Sequence, residues 1–411
     1  MKKADDRYVE NVSRLKFDPN HLTEAFYQDP FPTYAALQSE DPVYRCPDGS
    51  YFLTRYEDLL TVYQNAKRFS SDKRAIFKPK FGDSFLYQHH TTSLVFNDAP
   101  LHTRVRKIIT NALTRGTVEK MQHNVRELVN GLLARMQTLS RIDAIEDYAA
   151  LIPIEVIGNL LRIPHSDRKP LRGWSLAILG ALEPSISAEV LNQGNQAVEE
   201  FLAYLTDLIR ERRKNPSDEE DDLLSRLIQG LPNGETLSEL ELLHNCIFIL
   251  NAGHETTTNI IGNGIYTFIQ HPESLQEILQ HPELMASAVE ELLRYESPNQ
   301  LGNRELTEPT QIRGVPMPAG TQLTLCIGAA NRDPNVFPQP QQFDIHRKPN
   351  KHLAFASGPH LCAGGHVARM EARIALEEFF RCNAQMHLTD APVRSRRARF
   401  RGFLNLPLAT I

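Results

Sequence analysis

The feature that most constrains this chain is the loop Phe355-Ala356-Ser357-Gly358-Pro359-His360-Leu361-Cys362-Ala363-Gly364. One cysteine sits between Gly358 and Gly364, with an aromatic upstream and a helix-favouring stretch downstream. Val367, Met370 and Ile374 fall on one apolar stripe there, so a helix is expected over about 365–380. A thiolate just ahead of a helix is stabilised by unpaired N–H groups and by the positive end of the macrodipole. Glycines let the backbone approach a flat macrocycle, and Phe355 is placed to shield the sulfur. A thiolate ligand to haem iron needs this combination. A buried cysteine in a glycine-rich turn is the plain alternative, and Cys362 by itself would fit it. The joint spacing of Phe355, Gly358, His360, Cys362 and Gly364 favours the ligand.

Such a group needs a large interior. The chain has 411 residues, 41% hydrophobic and 23% charged, enough to bury a substantial core. No linker rich in Pro, Gly or Ser divides it, so residues 1–411 read as one domain. A net charge of −5 argues against a nucleic-acid partner, which favours a basic surface. The cysteines Cys46, Cys246, Cys326, Cys362 and Cys382 include no C-x-x-C pair, so a disulfide framework or zinc site is not expected, and a reducing compartment fits. Residues 1–20 are polar and charged, without a signal-peptide core or anchor. The apolar run 247–250 is interrupted by Asn251 and His254-Glu255 before a span is complete. A cytoplasmic protein with no membrane partner is expected.

Helical signals dominate, and helices are expected over about 101–115, 119–138, 154–162, 195–214, 236–270, 274–280, 283–295 and 365–380. Strand-like stretches lie near 43–53, where Pro47-Asp48-Gly49 predicts a hairpin, and over 311–327. The expected class is mainly α with a small β region. Residues 298–360, rich in Pro, Gly and Asn, read as a long irregular segment. The charge run 211–222 reads as a solvated loop, and His89-His90 as a solvated turn, not a metal pair.

Three further segments carry chemistry. Ala252-Gly253-His254-Glu255-Thr256-Thr257 interrupts an apolar helix. Small residues leave room for a diatomic ligand, and a threonine hydroxyl bonded to a preceding carbonyl opens the turn. Glu255 and Thr256 then make a proton-delivery pair; the alternative is a Gly/Thr kink with a solvent-facing acid. Glu291 and Arg294 share one helix face, where an ion pair forms easily. In the segment beginning at Asp98, His102 and Arg106 stand one turn apart beside the stripe of Val105, Ile109, Ala112 and Leu113. Donors leaning towards a core need an acceptor, and a haem propionate suits these two as well as His360 and Arg304.

Taken together, these motifs resemble the cytochrome P450 haem-thiolate monooxygenases, over most of the chain and most specifically from Ala252 to Gly364. The resemblance implies the P450 fold, with a long central helix over haem b (iron protoporphyrin IX). It implies Cys362 as the iron ligand and the only metal-binding residue. His102, Arg106, Arg304 and His360 would hold the propionates, and Phe355, Ala252, Gly253 and Gly364 would line the cofactor. Proton delivery falls to Glu255 and Thr256. Glu291, Arg294 and Arg347, the last from Phe343-Asp344-Ile345-His346-Arg347, would form a structural cluster. Ala356 stands where the family usually has glycine, and a slight shift of loop packing is expected.

The implied activity is insertion of one atom of O2 into an apolar small organic substrate, hydroxylation foremost. Electrons would come from a separate ferredoxin or flavodoxin with its reductase, since no G-x-G-x-x-G unit is present. A peroxygenase or an oxidative coupling or rearrangement enzyme on the same scaffold is the enzymatic alternative, and a haem-binding sensor or carrier the non-enzymatic one. The acid–alcohol pair disfavours the peroxygenase and the sensor. By resemblance, residues 72–97 close over the pocket with Phe77, Phe81, Phe85 and Tyr87, while Phe248, Asn251, Gln300 to Gly302 and Phe403 face it. Arg104, Lys107, Lys348, Lys351, Arg369 and Arg373 would form a basic face for an acidic electron donor.

Overall fold

Apolar side chains at helical spacing organise most of this molecule around one long helix, Glu239–Gln270. The computed structural model describes residues 15–216 and 222–409. The polar N-terminus as far as residue 14 and the middle of the charge run, residues 217–221, lie outside the described residues.

The central helix has 32 residues and is about 48 Å long. Ser238 and Glu241 start it with a reciprocal capping box. From Leu250 to Phe268 it is buried on nearly every side, its polar residues included. Helices Leu151–Leu160, Leu171–Gly180, Ala188–Lys214, Met285–Tyr295 and Gly365–Cys382 pack against it. Helix Leu101–Ala112 lies ahead of helix Arg115–Met136, which packs along Gly365–Cys382.

The β region is small. One sheet runs in the order Val43–Arg45, Tyr51–Leu53, Gln322–Cys326, Leu301–Leu306, Phe69–Ser70. Val43 pairs with Leu53 across the expected hairpin, and Tyr51–Leu53 runs parallel to Leu323–Leu325. Strand Leu301–Leu306 pairs antiparallel with Gln322–Cys326. The segment expected to be irregular from residue 298 therefore begins with a strand. Burial along it does not alternate cleanly, with Gly302 and Asn303 both partly exposed and the charged Arg304 buried, so no period-2 signal marked it.

Beyond that strand, the loop chain is held from within. Arg294, with no solvent exposure, donates from Nε and Nη2 to Glu291 at 2.8 and 2.7 Å. Its Nη1 reaches the carbonyls of Asn331 (3.0 Å) and Pro340 (2.9 Å), and Nη2 that of Gln342 (3.0 Å). Arg347 Nε binds both Glu291 oxygens at 3.1 and 3.2 Å, and its Nη1 the Pro338 carbonyl at 2.8 Å. Asn331 Oδ1 in turn accepts from the Leu353 N–H at 2.7 Å, and the Leu353 carbonyl from the Ala356 N–H at 2.8 Å. The knot is thereby tied to the cysteine loop.

One loop expectation is corrected, and a second changes at a single residue, Asp222. His89 and His90 lie on helix Phe85–Thr92, each 2% exposed. Ser84 caps that helix, and the rings of Phe77, Phe81 and Phe96 pack around His90. Asp222, at the end of the charge run, is fully buried and caps helix Leu223–Gln229 while accepting from Arg212. Packing and capping hold His89, His90 and Asp222 inside, while Arg213 to Pro216 of the charge run are exposed as a solvated segment should be.

Candidate haem-thiolate site

Cys362 stands two residues ahead of Gly364, the N-cap of helix Gly365–Cys382. Its N–H donates to the Phe355 carbonyl at 3.0 Å, which folds the loop back on itself. Gly358 has φ +66° and a Cβ there would sit 2.3 Å from the Tyr63 carbonyl oxygen, so both conformation and contact require glycine. Ala356 adopts φ +58°, left-handed backbone in which a side chain is strained. The Phe355 ring lies under the Arg369 guanidinium, 4.4 Å from its centroid. Cys362 keeps accessible surface although protein surrounds it densely, so the thiol opens onto an internal cleft. Burial pushes the thiol up, while the Gly364 N–H and the fields of Arg106 and Arg369 pull it down.

Around the same cleft the expected propionate residues converge. The rings of His102 and His360 stack at 3.8 Å. Burial, then Arg106 and Arg304, push His102 down to about 4. Burial, then Arg304, His102 and Arg106, push His360 down to about 2. Four potential cations thus share one field, and His102 Nε2 is buried without a hydrogen-bond partner. Arg304 covers the Tyr63 ring at 5.3 Å. This donor set fits the two carboxylates of a haem lying above Cys362.

On the central helix, Ala252 is exposed although Leu250 and Asn251 beside it are buried, which marks where the helix borders the cleft. The Thr256 hydroxyl donates to the Ala252 carbonyl at 2.7 Å and so loosens this turn. Glu255 is 6% exposed, and Arg397 Nη1 donates to both its oxygens at 2.6 Å. Burial nevertheless pushes its carboxyl up to about 7, against Arg397 and with help from Glu183. The acid is therefore not solvent-facing. Gly253 is corrected in role: a Cβ there would meet Ile157 at 2.8 Å, so its smallness serves packing against helix Leu151–Leu160.

The expected substrate residues are dispersed. Phe248 is half-buried on the central helix, whereas Asn251 is buried with Nδ2 3.5 Å from His89 Nε2. Phe85 opens its helix 39% exposed. Gln300 donates to the Ser297 carbonyl at 2.6 Å. Phe403 lies 3.7 Å beneath Arg394 and 5.0 Å from Tyr266, about 20 Å along the central helix from Ala252, so it packs core and does not line the cleft. Phe77, Phe81 and Phe96 pack on one another and on His90.

Four residues of the expected basic face stand in ion pairs. Arg104 binds Glu241, Lys107 lies 3.5 Å from Glu235, Arg369 binds Glu290 at 2.6 Å, and Arg373 binds Glu377 at 3.1 Å. Glu241 and Glu290 come from neighbouring helices, Glu377 from the helix of Arg373 itself, and Glu235 from the loop before the central helix. The sequence reading passed over Arg397 and Arg399, although Arg394, Arg396, Arg397, Arg399 and Arg401 crowd into eight residues. That run was the available signal.

A cysteine with accessible surface inside the protein, a loosened turn in the central helix, and two histidines and two arginines gathered near the cysteine fit a haem-thiolate protein. The sequence profile of the family described as Cytochrome P450 matches residues 182–396, and the chain belongs to that family. The biotin biosynthesis cytochrome P450 of Bacillus subtilis is 34% identical over 387 residues, covering 93% of this chain and 96% of its own. The vitamin D(3) 25-hydroxylase of Pseudonocardia autotrophica is 34% identical over 391 residues, covering 93% and 94%. Among solved structures, P450BioI in complex with hexadec-9Z-enoic acid ligated acyl carrier protein matches with a TM-score of 0.89 and 32% identity, covering 94% of this chain and 100% of that one. CYP109E1 from Bacillus megaterium in complex with testosterone matches at 0.85 and 29%, covering 95% and 100%. The protein is a haem-thiolate monooxygenase that uses O2, a redox partner and a small substrate. No helix among the described residues is long and apolar enough to cross a membrane.

Proposed function

We propose that this monooxygenase hydroxylates a small, largely apolar organic substrate in the cytoplasm, drawing electrons from a separate ferredoxin or flavodoxin and its reductase. The relatives named above act on or bind lipid-like and steroid molecules, which supports the substrate class. When bound, haem supplies O2 reduction and oxygen insertion at its iron, with Cys362 as the thiolate that favours O–O cleavage. His102, Arg106, Arg304 and His360 hold its propionates, and Phe355 and Gly364 set the sulfur. Glu291, Arg294 and Arg347 keep the loop chain in place.

Proton delivery carries the reading. Thr256 Oγ1, bonded to the Ala252 carbonyl at 2.7 Å, stands at the cleft as the last donor. Behind it Glu255, held near neutrality by burial against Arg397, picks up and passes protons. A peroxygenase or a haem carrier would have little use for this pair. Thr256→Ala in the haem-loaded enzyme, assayed with a ferredoxin system, should keep substrate binding and divert reducing equivalents from product to peroxide. Unchanged coupling would remove Thr256 from the proton path.

A further inference from the structure

Strand Leu301–Leu306 is surrounded by more positive charge than the propionates account for. Lys73 follows strand Phe69–Ser70, which pairs with Leu306 and Glu305, and caps helix Arg74–Phe81. It is 3% exposed, and its Nζ has no hydrogen-bond partner. Arg399 approaches the same strand from the C-terminal region. Its Nη1 donates to the Leu301 carbonyl at 2.9 Å and Nη2 to Asn303 Oδ1, leaving Nε buried and unpartnered. The Arg399 carbonyl accepts from the Gln300 N–H at 2.8 Å. Arg304, on the strand itself, adds a third cation.

The acids nearby reach these cations through their fields, and none of them hydrogen-bonds Lys73. Asp98 accepts from Ser70 Oγ at 2.5 Å and the Ser71 N–H at 2.9 Å. Glu305 accepts from Gln322 Nε2 at 2.6 Å, and Glu183 accepts from the Ala398 N–H at 3.0 Å while its field supports Arg399, which leaves Lys73 as the cation without an acceptor. Burial, reinforced by Arg304 and Arg399, pushes Lys73 down to about 7. A buried ammonium without an acceptor is expensive, and an anion placed there relieves Lys73 and Arg399 together.

The position also fits. Arg397, two residues before Arg399, holds Glu255 of the proton path, while Arg304 shares its field with His360 beside Cys362. Arg399 is thus joined through the chain to the residue that holds Glu255 and through hydrogen bonds to the strand that carries Arg304. It keeps accessible surface although protein surrounds it, as Cys362 does.

We propose that Lys73 and Arg399 form an anion anchor within the substrate pocket, and that the substrate is an amphipathic molecule whose carboxylate docks there while its apolar chain runs along Phe248 and Ala252. This rests on the monooxygenase reading and narrows its substrate.

The test uses the haem-loaded full chain and the shift of its Soret band. Alkanoic acids from octanoic to hexadecanoic are titrated beside the 1-alkanols of equal length. One charge-assisted pair predicts that the best acid binds about 10- to 100-fold tighter than its alcohol. Lys73→Met and Arg399→Met should erase that preference and leave alcohol binding in place. Lys73→Met removes no hydrogen bond, so it decides the question even where Arg399→Met, which loses its two bonds to the strand, does not fold. Equal binding of acids and alcohols, or no binding of either, overturns the anchor. So does a Lys73→Met variant that loses haem or shifts its midpoint potential with the acid preference intact, because Lys73 would then serve a propionate. The reduced carbonyl complex is read in the same samples. Its thiolate-type band, if absent, fails the haem-thiolate reading; if present without an acid preference, only the anchor fails.

Discussion

Glu291 and Glu255 are both buried carboxylates facing arginine, and they sit on neighbouring helices. Glu291 accepts from Arg294, Arg347, the Asp344 N–H (3.0 Å) and Asn350 (3.1 Å), so its lone pairs are saturated. Glu255 has one partner, Arg397, and burial holds its carboxyl at about 7. A saturated carboxylate in a dry network is fixed in one geometry, which suits a clamp. An under-bonded one beside a hydroxyl at a cleft changes protonation readily, which suits proton transfer. Burial and an arginine do not by themselves distinguish structure from chemistry; the number of donors does.

The contrast breaks most visibly at the clamp. Glu291→Ala leaves two guanidiniums facing each other without their shared anion, an expected loss of about 3–5 kcal/mol. Against a typical total of about 5–15 kcal/mol, little folded, haem-binding protein should remain. Denaturant unfolding and haem content measure this, and a normally folded variant would mean that the carbonyl contacts of Arg294 suffice alone.

Glu255→Gln should do the reverse, keeping the fold and haem while slowing turnover by about 10²–10⁴-fold. If it unfolds as Glu291→Ala does, the two carboxylates are alike and the contrast is lost. Acidity sharpens the same point. Burial raises Glu255 above its ordinary carboxylate range, so it holds a proton below about pH 7 and loses it above. Turnover limited by this donor should fall about tenfold per pH unit above 7, and Glu255→Gln should flatten that limb. By linkage, the raised carboxyl also withdraws stability as pH climbs from 4.5, its ordinary value, towards 7. A limb that persists in Glu255→Gln belongs to another group.

Much of this was legible in the chain. Long amphipathic runs revealed helices such as Glu239–Gln270 and Gly365–Cys382, because period and caps are local signals. Short helices, including Tyr56–Gln64 and Leu171–Gly180, were not seen, since nine or ten residues carry little periodicity. In the cysteine loop, spacing pointed to chemistry because glycine positions are dictated by backbone geometry. Arg397 and Arg399 were missed for the opposite reason. Their partners, Glu255 and the strand at Leu301, are nearly a hundred residues or more away, and only tertiary packing brings them close. Gly253 looked like room for a ligand because sequence gives the size of a residue but not which way its missing side chain would point.

The smallest expected effect lies where the clamp meets the thiol. Ala356 takes a left-handed φ of +58° in the turn that Leu353 and the Arg294–Asn331 contacts hold in place. Left-handed backbone costs an L-residue about 1–2 kcal/mol, which glycine would recover. Against that, glycine gives up about 0.4–1 kcal/mol through the freer unfolded chain. It also loses up to about 0.8 kcal/mol of methyl packing against the core beside Tyr56 and Leu353. The terms nearly cancel, so Ala356→Gly should shift unfolding by less than about 1 kcal/mol and leave the carbonyl-complex band unmoved. The clamp explains why: it sets the turn from outside, so the residue within it adds little. A band shift or a larger loss would show that the Ala356 methyl, and not the Glu291 network, positions Cys362.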